Sequence, residues 1–542
     1  MYQLVFSVIN KKNKILEIIM ETFLDNLTAI NDAVNDFVWV KIGIVILIGT
    51  GILMTVMTRF FQVTHVKHWW KKTIGGMFDS KVTAHTSDKA SISQFQALCT
   101  ALAATVGVGN IAGVSAAIMA GGPGAVFWMW IAAFFGMMTN FSENTLGIYY
   151  RRKNIDGEWS GGAMYYLQDG LGGYPHMKKV GKVLAVLFAI FATLASFGIG
   201  NMGQVNKIVI NLTNAFDIKA LSSRVLYTDG DASVTLYMLI VGLVLMVLVG
   251  VVALGGIKRI AVVAETIVPV MVVLFVTGSL IIILANFKGI IPAFASIFSM
   301  AFTKQAAWGG ATGVAFKTII TQGCKRGVFS NEAGLGSSVM VHSNSNVKEP
   351  VKQGMWGIFE VFADTMVVCT MTALTVLTSG VIDLKTGLTT SDSDATLVAD
   401  AFNTIFKIGK FEFGKYFIAI AILVFAFTTI LGWSHYGSKA VEYLAGKNAR
   451  TAVMVYKIIF VLMILSGALM TSSIAWDISD TFNGMMMIPN LIGVIALSPI
   501  VVKITANYVA RKIKGEKIDP MLSYDSDIQD EHAKVILETG ED

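Results

Sequence analysis

The 542-residue chain is short of charge: only 14% of it is Asp, Glu, Lys or Arg, against about a quarter in soluble domains. Beside a hydrophobic share of 54% and a mean hydropathy of +0.65, that deficit excludes an ordinary soluble protein. Cysteine is nearly absent. Cys99, Cys324 and Cys369 all fall in apolar segments, so no disulfide framework is available. Of seven histidines, His65, His68, His85, His176, His342 and His532 fall in connections or the tail, and only His435 nears a helix end. The pair His65-Val-Lys-His68 has loose metal-ligand spacing but no carboxylate or thiol beside it. A membrane-embedded enzyme would need a nucleophile–base pair or a metal cluster at membrane depth, and neither is expected. No nucleotide motif is present, which disfavours an ATP-driven pump, and no cofactor is expected.

What the chain has is long apolar runs. Hydropathy places eleven spans near 38–61, 93–120, 124–150, 181–211, 234–254, 257–285, 304–343, 352–380, 413–438, 451–472 and 481–505. Basic connections, such as Lys67 to Lys89 and Arg151 to Lys153, alternate with neutral or acidic ones, such as Gly121-Gly-Pro-Gly124 and Asp217 to Asp231. The positive-inside rule then predicts an outside N-terminus and a cytoplasmic C-terminus in a cell membrane. Residues 1–36 read as an amphipathic lead at the interface, 37–505 as one transmembrane domain, and 506–542 as a solvated cytoplasmic tail. Trp159 to Leu167 is too short to span and is expected along the inner interface. The outer stretch 383–412 contains Leu397-Val-Ala-Asp-Ala-Phe402, which predicts a short lid helix.

Two spans are interrupted. The first carries Gly107, Gly109 and Gly113 beside Thr105 and Asn110; the second runs from Phe316 through Lys325, Arg326 and Glu332 to Gly336. Broken backbone at membrane depth is tolerated only where it faces protein or a watery cavity. Five spans follow from each interruption, 93–285 and 304–505, with an extra helix at 38–61 before them. An odd count per half forces opposite orientations, so the halves form an inverted repeat whose breaks mark a central site. Free N–H ends suit an anionic group and free carbonyl ends suit a small cation. Thr428 and Thr429 could complete a cation shell, and Thr429 shares a helix face with Trp433. Glu143, Glu265, Glu360 and Asp364 lie in apolar spans. Glu332 is expected to pair with Arg326 and hold the second break in shape.

The run Gly121-Gly-Pro-Gly-Ala-Val-Phe-Trp-Met-Trp130 resembles the signature of the alanine or glycine:cation symporter family, the sodium/alanine symporters. Gly161-Gly-Ala-Met-Tyr-Tyr166, Gly327-Val-Phe-Ser-Asn-Glu-Ala-Gly-Leu-Gly-Ser337 and Asp364-Thr-Met-Val-Val-Cys-Thr370 resemble further family motifs in order. Asn140, Ala163 and Ser338-Val-Met340 depart from the usual residues. The resemblance implies an all-α polytopic membrane protein with a leucine transporter-like fold of two inverted five-helix repeats. It implies a symporter that imports alanine or glycine with sodium, or with protons, working as a monomer. A channel or a non-transporting amino-acid receptor of the same fold is the alternative. One sodium site would comprise the carbonyls of Ala103, Val106 and Phe425 with the hydroxyls of Thr428 and Thr429. Thr105 and Asn110 match part of a second, which Asp364 would complete unless it serves coupling or gating. Val108 and Gly109 N–H groups would receive the substrate carboxylate. Gln204, Phe316, Ile320, Thr429 and Trp433 would surround the ammonium and small side chain.

Overall fold

A computed structural model of the chain describes residues 26–539 apart from 87, 89, 230–231, 303–315, 390, 392–393 and 471–473. The first 25 residues of the lead and the expected start of the second broken segment lie outside the described residues. What is described is helical, with two-stranded ribbons confined to connections.

The first crossing is α1 (Asn26–Met57). The described part of the lead runs straight into it and is not a separate surface helix. Asn35 donates to Asp480 and Thr481, and Trp39 donates to the Asp480 carbonyl, which holds this end against a later helix. The first broken segment is α2 (Gln94–Thr105) and α3 (Gly109–Gly121), bent by 53° at Val106-Gly-Val108. A capping box fixes where α2 begins: Ser93 and Gln96 each accept the other's backbone N–H. There follow α4 (Gly124–Tyr149), α5 (Lys178–Ala215), α6 (Leu236–Ala253) and α7 (Gly256–Ala285).

A short helix, α8 (Ile290–Met300), leads to the second broken segment. There α9 (Phe316–Asn331) gives way to an unwound stretch through Glu332 to Ser338, and α10 (Val339–His342) resumes beyond it. Then come α11 (Pro350–Thr378), the short helix α12 (Asp394–Asn403), α13 (Phe413–Ala445) and α14 (Ala449–Leu469). The last crossing is α15 (Ile474–Ala496). It does not continue straight to residue 505, because the chain turns by 58° at Leu497 into α16 (Ser498–Lys512). Pro499 stands at the start of α16, where a missing N–H costs nothing.

Each broken segment therefore opens a set of five crossings, and the odd count inverts the second set against the first. The most hydrophobic stretches of α4 and α11 are 67% buried, whereas that of α6 is 33% buried. The first two are thus central and the third faces outward. The short helix α12 sinks Leu397, Val398, Ala401 and Phe402 into the protein, with Phe402 stacked on Phe406 and Phe417.

Candidate functional site

At the first break the carbonyl of Val106 leaves the helical ladder, its residue taking φ −77° and ψ 87°. Across from it stands α13. Thr429 Oγ1 donates to the Ala103 carbonyl at 3.2 Å and lies 3.0 Å from the Phe425 carbonyl. Thr428 Oγ1 lies 2.9 Å from the same Phe425 oxygen. The approach is tight enough that a Cβ on Gly107 would sit 2.4 Å from Thr429 Oγ1. Three of the oxygens assigned to the first sodium shell (Ala103, Phe425 and Thr429) thus meet between α2 and α13, and Thr428 joins them only through the shared Phe425 carbonyl, its hydroxyl also lying 3.7 Å from Met271 Sδ on α7. All are neutral, a donor set that suits a hard monovalent cation.

Asn110 ties the first break to Asp364 on α11, which in turn holds Ser330 just before the second break. The Asn110 Oδ1 accepts the Gly107 N–H at 2.9 Å and its Nδ2 donates to Asp364 Oδ1 at 2.6 Å. Asp364 Oδ2 accepts from Ser330 at 2.7 Å and from Thr365 at 2.8 Å. Thr372 donates to the Asn110 carbonyl at 2.8 Å. Asp364 is fully buried, and its donors come from α3, α9 and its own helix.

Beside the first constellation lies a small cavity of about 20 Å³. Thr105, Gly109, Gln204, Thr429 and Trp433, all assigned from sequence, line it. The backbone of α5 widens at Gly198–Met202, and Gln204 Nε2 bonds the Ile199 carbonyl at 3.1 Å. Gln204 Oε1 is buried without a protein partner among the described residues. Gly200 is required here: a Cβ would stand 2.4 Å from Trp433 Cβ. Val108, buried, adjoins the cavity through Gly109, and the N–H groups of both open α3.

Phe316 and Ile320 do not line the cavity. Phe316 lies edge-on to Trp128, 6.1 Å between ring centres, at the start of α9. Unwinding begins only after Asn331, so Phe329 and Glu332 occupy the wall instead. Nor does Glu332 pair with Arg326. The Arg326 guanidinium lies 5.9 Å from the Phe329 ring centre, and Glu332 accepts from Trp433 Nε1 at 3.0 Å and from Ser337 at 2.5 Å. Glu332 was visible as an intramembrane charge; its place in the cavity was not, because sequence does not say where α9 stops. His342 is also no loop residue: it is fully buried, 3.0 Å from Glu360.

Long apolar helices, with residues of two broken ones lining a small polar cavity, define a membrane transport protein. The sodium:alanine symporter family model matches residues 24–522, and the chain belongs to that family. The sodium/alanine symporter AgcS of Methanococcus maripaludis is 41% identical over 89% of this chain and 97% of its own. The probable sodium/glutamine symporter GlnT of Bacillus subtilis is 35% identical over 93% of this chain and 95% of its own. Among solved structures, MhsT in complex with L-phenylalanine covers 78% of this chain and 99% of its own, at TM-score 0.49 and 14% identity. The fold assignment stands on the chain's own paired breaks.

Proposed function

We propose that the protein imports a small neutral amino acid, alanine or glycine, across the cell membrane together with sodium, with its C-terminus in the cytoplasm. The observation that carries this reading is the cavity walled by both broken helices, with neutral oxygens gathered on one side of it. The N–H end of α3 receives the substrate carboxylate, as helix N-termini favour anions. Ala103, Val106, Phe425, Thr428 and Thr429 hold one sodium ion; Thr105, Asn110 and Asp364 serve a second cation, sodium or a proton. The cavity is shared, so cation binding organises the breaks for the substrate, and by linkage the substrate tightens cation binding equally. Bulky Trp433 and Phe329 leave little room for a large side chain. The likeness to the named alanine symporter favours alanine over the larger amide named for the Bacillus relative.

Purified protein in liposomes is expected to accumulate alanine only under an inward sodium or proton gradient. Uptake that survives collapse of both gradients would leave a channel of this fold as the reading, and alanine binding without any uptake a receptor.

A further inference from the structure

We infer that Glu332 is the anionic anchor for the substrate's ammonium group, so that the cavity is built for a zwitterion, positive at one end and negative at the other. The inference rests on the amino-acid reading above and adds to it the residue that selects for an ammonium.

Glu332 lines the cavity and is 4% exposed. Its two oxygens accept from neutral donors, Trp433 Nε1 and Ser337 Oγ, and among the described residues no cation lies in ion-pair contact with it. A buried carboxylate without a countercharge is costly at membrane depth. Its backbone is also held at φ 55°, a left-handed conformation that side-chain-bearing residues rarely adopt. Such strain persists where the surroundings fix it, and it clusters at ligand sites. Here the turn out of α9 keeps the carboxylate in the cavity wall, where a continued helix would carry the side chain round its own axis.

A second feature points to the same ligand. Gln204 Oε1, on the cavity wall contributed by α5, is buried and without a protein partner among the described residues. An ammonium carries three N–H donors and no acceptor. Glu332 from the second break, Gln204 Oε1 from α5 and the Thr429 hydroxyl from α13 supply acceptors around one small space. The opposite pole is the N–H end of α3, whose Gly109 backbone also lines the cavity. A zwitterion bridging the poles neutralises both at once. A carboxylic acid lacking the amine neutralises one and leaves Glu332 bare.

The test is equilibrium binding of alanine, propionate and β-alanine to the purified full-length protein in sodium, with thermal unfolding in sodium alone as a check on folding. Glu332→Gln is expected to raise the alanine Kd by about 10- to 100-fold, the usual weight of a charge-assisted hydrogen bond. It should shrink the preference for alanine over propionate by a similar factor while leaving stabilisation by sodium unchanged. In Glu332→Asp the carboxylate retreats by one methylene, and β-alanine should gain on alanine; this arm stands alone if the Gln variant does not fold. An unchanged alanine-to-propionate ratio in the Gln variant, or an unchanged alanine-to-β-alanine ratio in the Asp variant, overturns the assignment. So does a Gln variant that binds alanine normally and loses only the pH dependence of uptake. Failure of the amino-acid reading itself would show in the unaltered protein, which would then bind none of the three.

Discussion

Thr429 touches both halves of the molecule through one oxygen. Its hydroxyl reaches the Ala103 carbonyl on the broken helix and the Phe425 carbonyl on its own. Replacing it by Ala removes one ligand from the proposed sodium shell without filling space. Thr429→Ala is therefore expected to shift the sodium concentration for half-maximal uptake upward by about tenfold, the scale of one hydrogen bond to a charged group. Sodium titration of uptake at saturating alanine reads this directly; an unchanged midpoint removes Thr429 from the shell. Gly107 tests the same contact from the other side. A Cβ there would lie 2.4 Å from the Thr429 hydroxyl, and that β-branched side chain, bonded to Ala103 and Phe425, has little freedom to turn away. Gly107→Ala should cost about 1–3 kcal/mol of packing strain and take sodium-dependent uptake down with it. The combined variant Gly107→Ala/Thr429→Ala, which relieves the clash, should recover expression and thermal stability but not sodium affinity.

At the scale of elements, hydropathy was enough to find the crossings, because a run of apolar residues in lipid has few alternatives to a helix. The first break was readable because three glycines and two small polar residues announce it. The second was legible in kind but not in place. Its glycines at 323, 327, 334 and 336 offer several stopping points, and the helix passes the first two to end at Asn331. That offset moved Phe316 and Ile320 off the cavity and Phe329 and Glu332 onto it. Long-range ends were likewise invisible: nothing near residue 151 says that Arg151 terminates the second broken segment. Yet its guanidinium donates to the carbonyls of Ser343, Ser345 and Val347, at 3.1, 2.6 and 2.5 Å, while lying 4.1 Å from the centre of the Trp159 ring. Those carbonyls follow α10 and have no helix to continue into. Arg151→Ala should leave three buried acceptors bare and lower stability by about 3 kcal/mol or more. Thermal unfolding in detergent measures the loss. Arg151→Lys, which cannot reach three diverging carbonyls, should recover only part of it.

At the scale of the whole molecule, the C-terminal segment is not the solvated tail that its acidic composition suggests. Beyond α16 the chain turns back against the protein, burying Leu522, Ser523 and His532, and forms α17 (Ser526–Thr539). The Tyr524 N–H donates to the Tyr149 carbonyl at 2.9 Å, and its ring packs 5.1 Å from that of Tyr150. His532 lies 5.8 Å from the Trp159 ring. Trp159 in turn bonds backbone to Ala90, just before α2, and its carbonyl accepts from Asn344, just after α10. The tail thus rests on the residue that ties together the start of α2 and the chain just beyond α10. Burial first, and then the positive charges of Arg151, Lys348 and Lys153, push the His532 pKa from 6.5 down to about 3. A released tail regains the ordinary value, so below about pH 6.5 it takes up a proton that the docked tail refuses. Docking is therefore strongest above pH 6.5 and weakens as pH falls toward 3, by up to tenfold per unit for one proton. Hydrogen exchange of residues 522–536 should show protection at pH 7.5 that declines through pH 5.5 faster than intrinsic exchange chemistry accounts for. His532→Gln, which cannot charge, should flatten that decline while leaving the tail docked. If the tail's protection is independent of pH in the unaltered protein, His532 is not what senses it, and the fastening of α17 rests on Tyr524 and Leu522 alone.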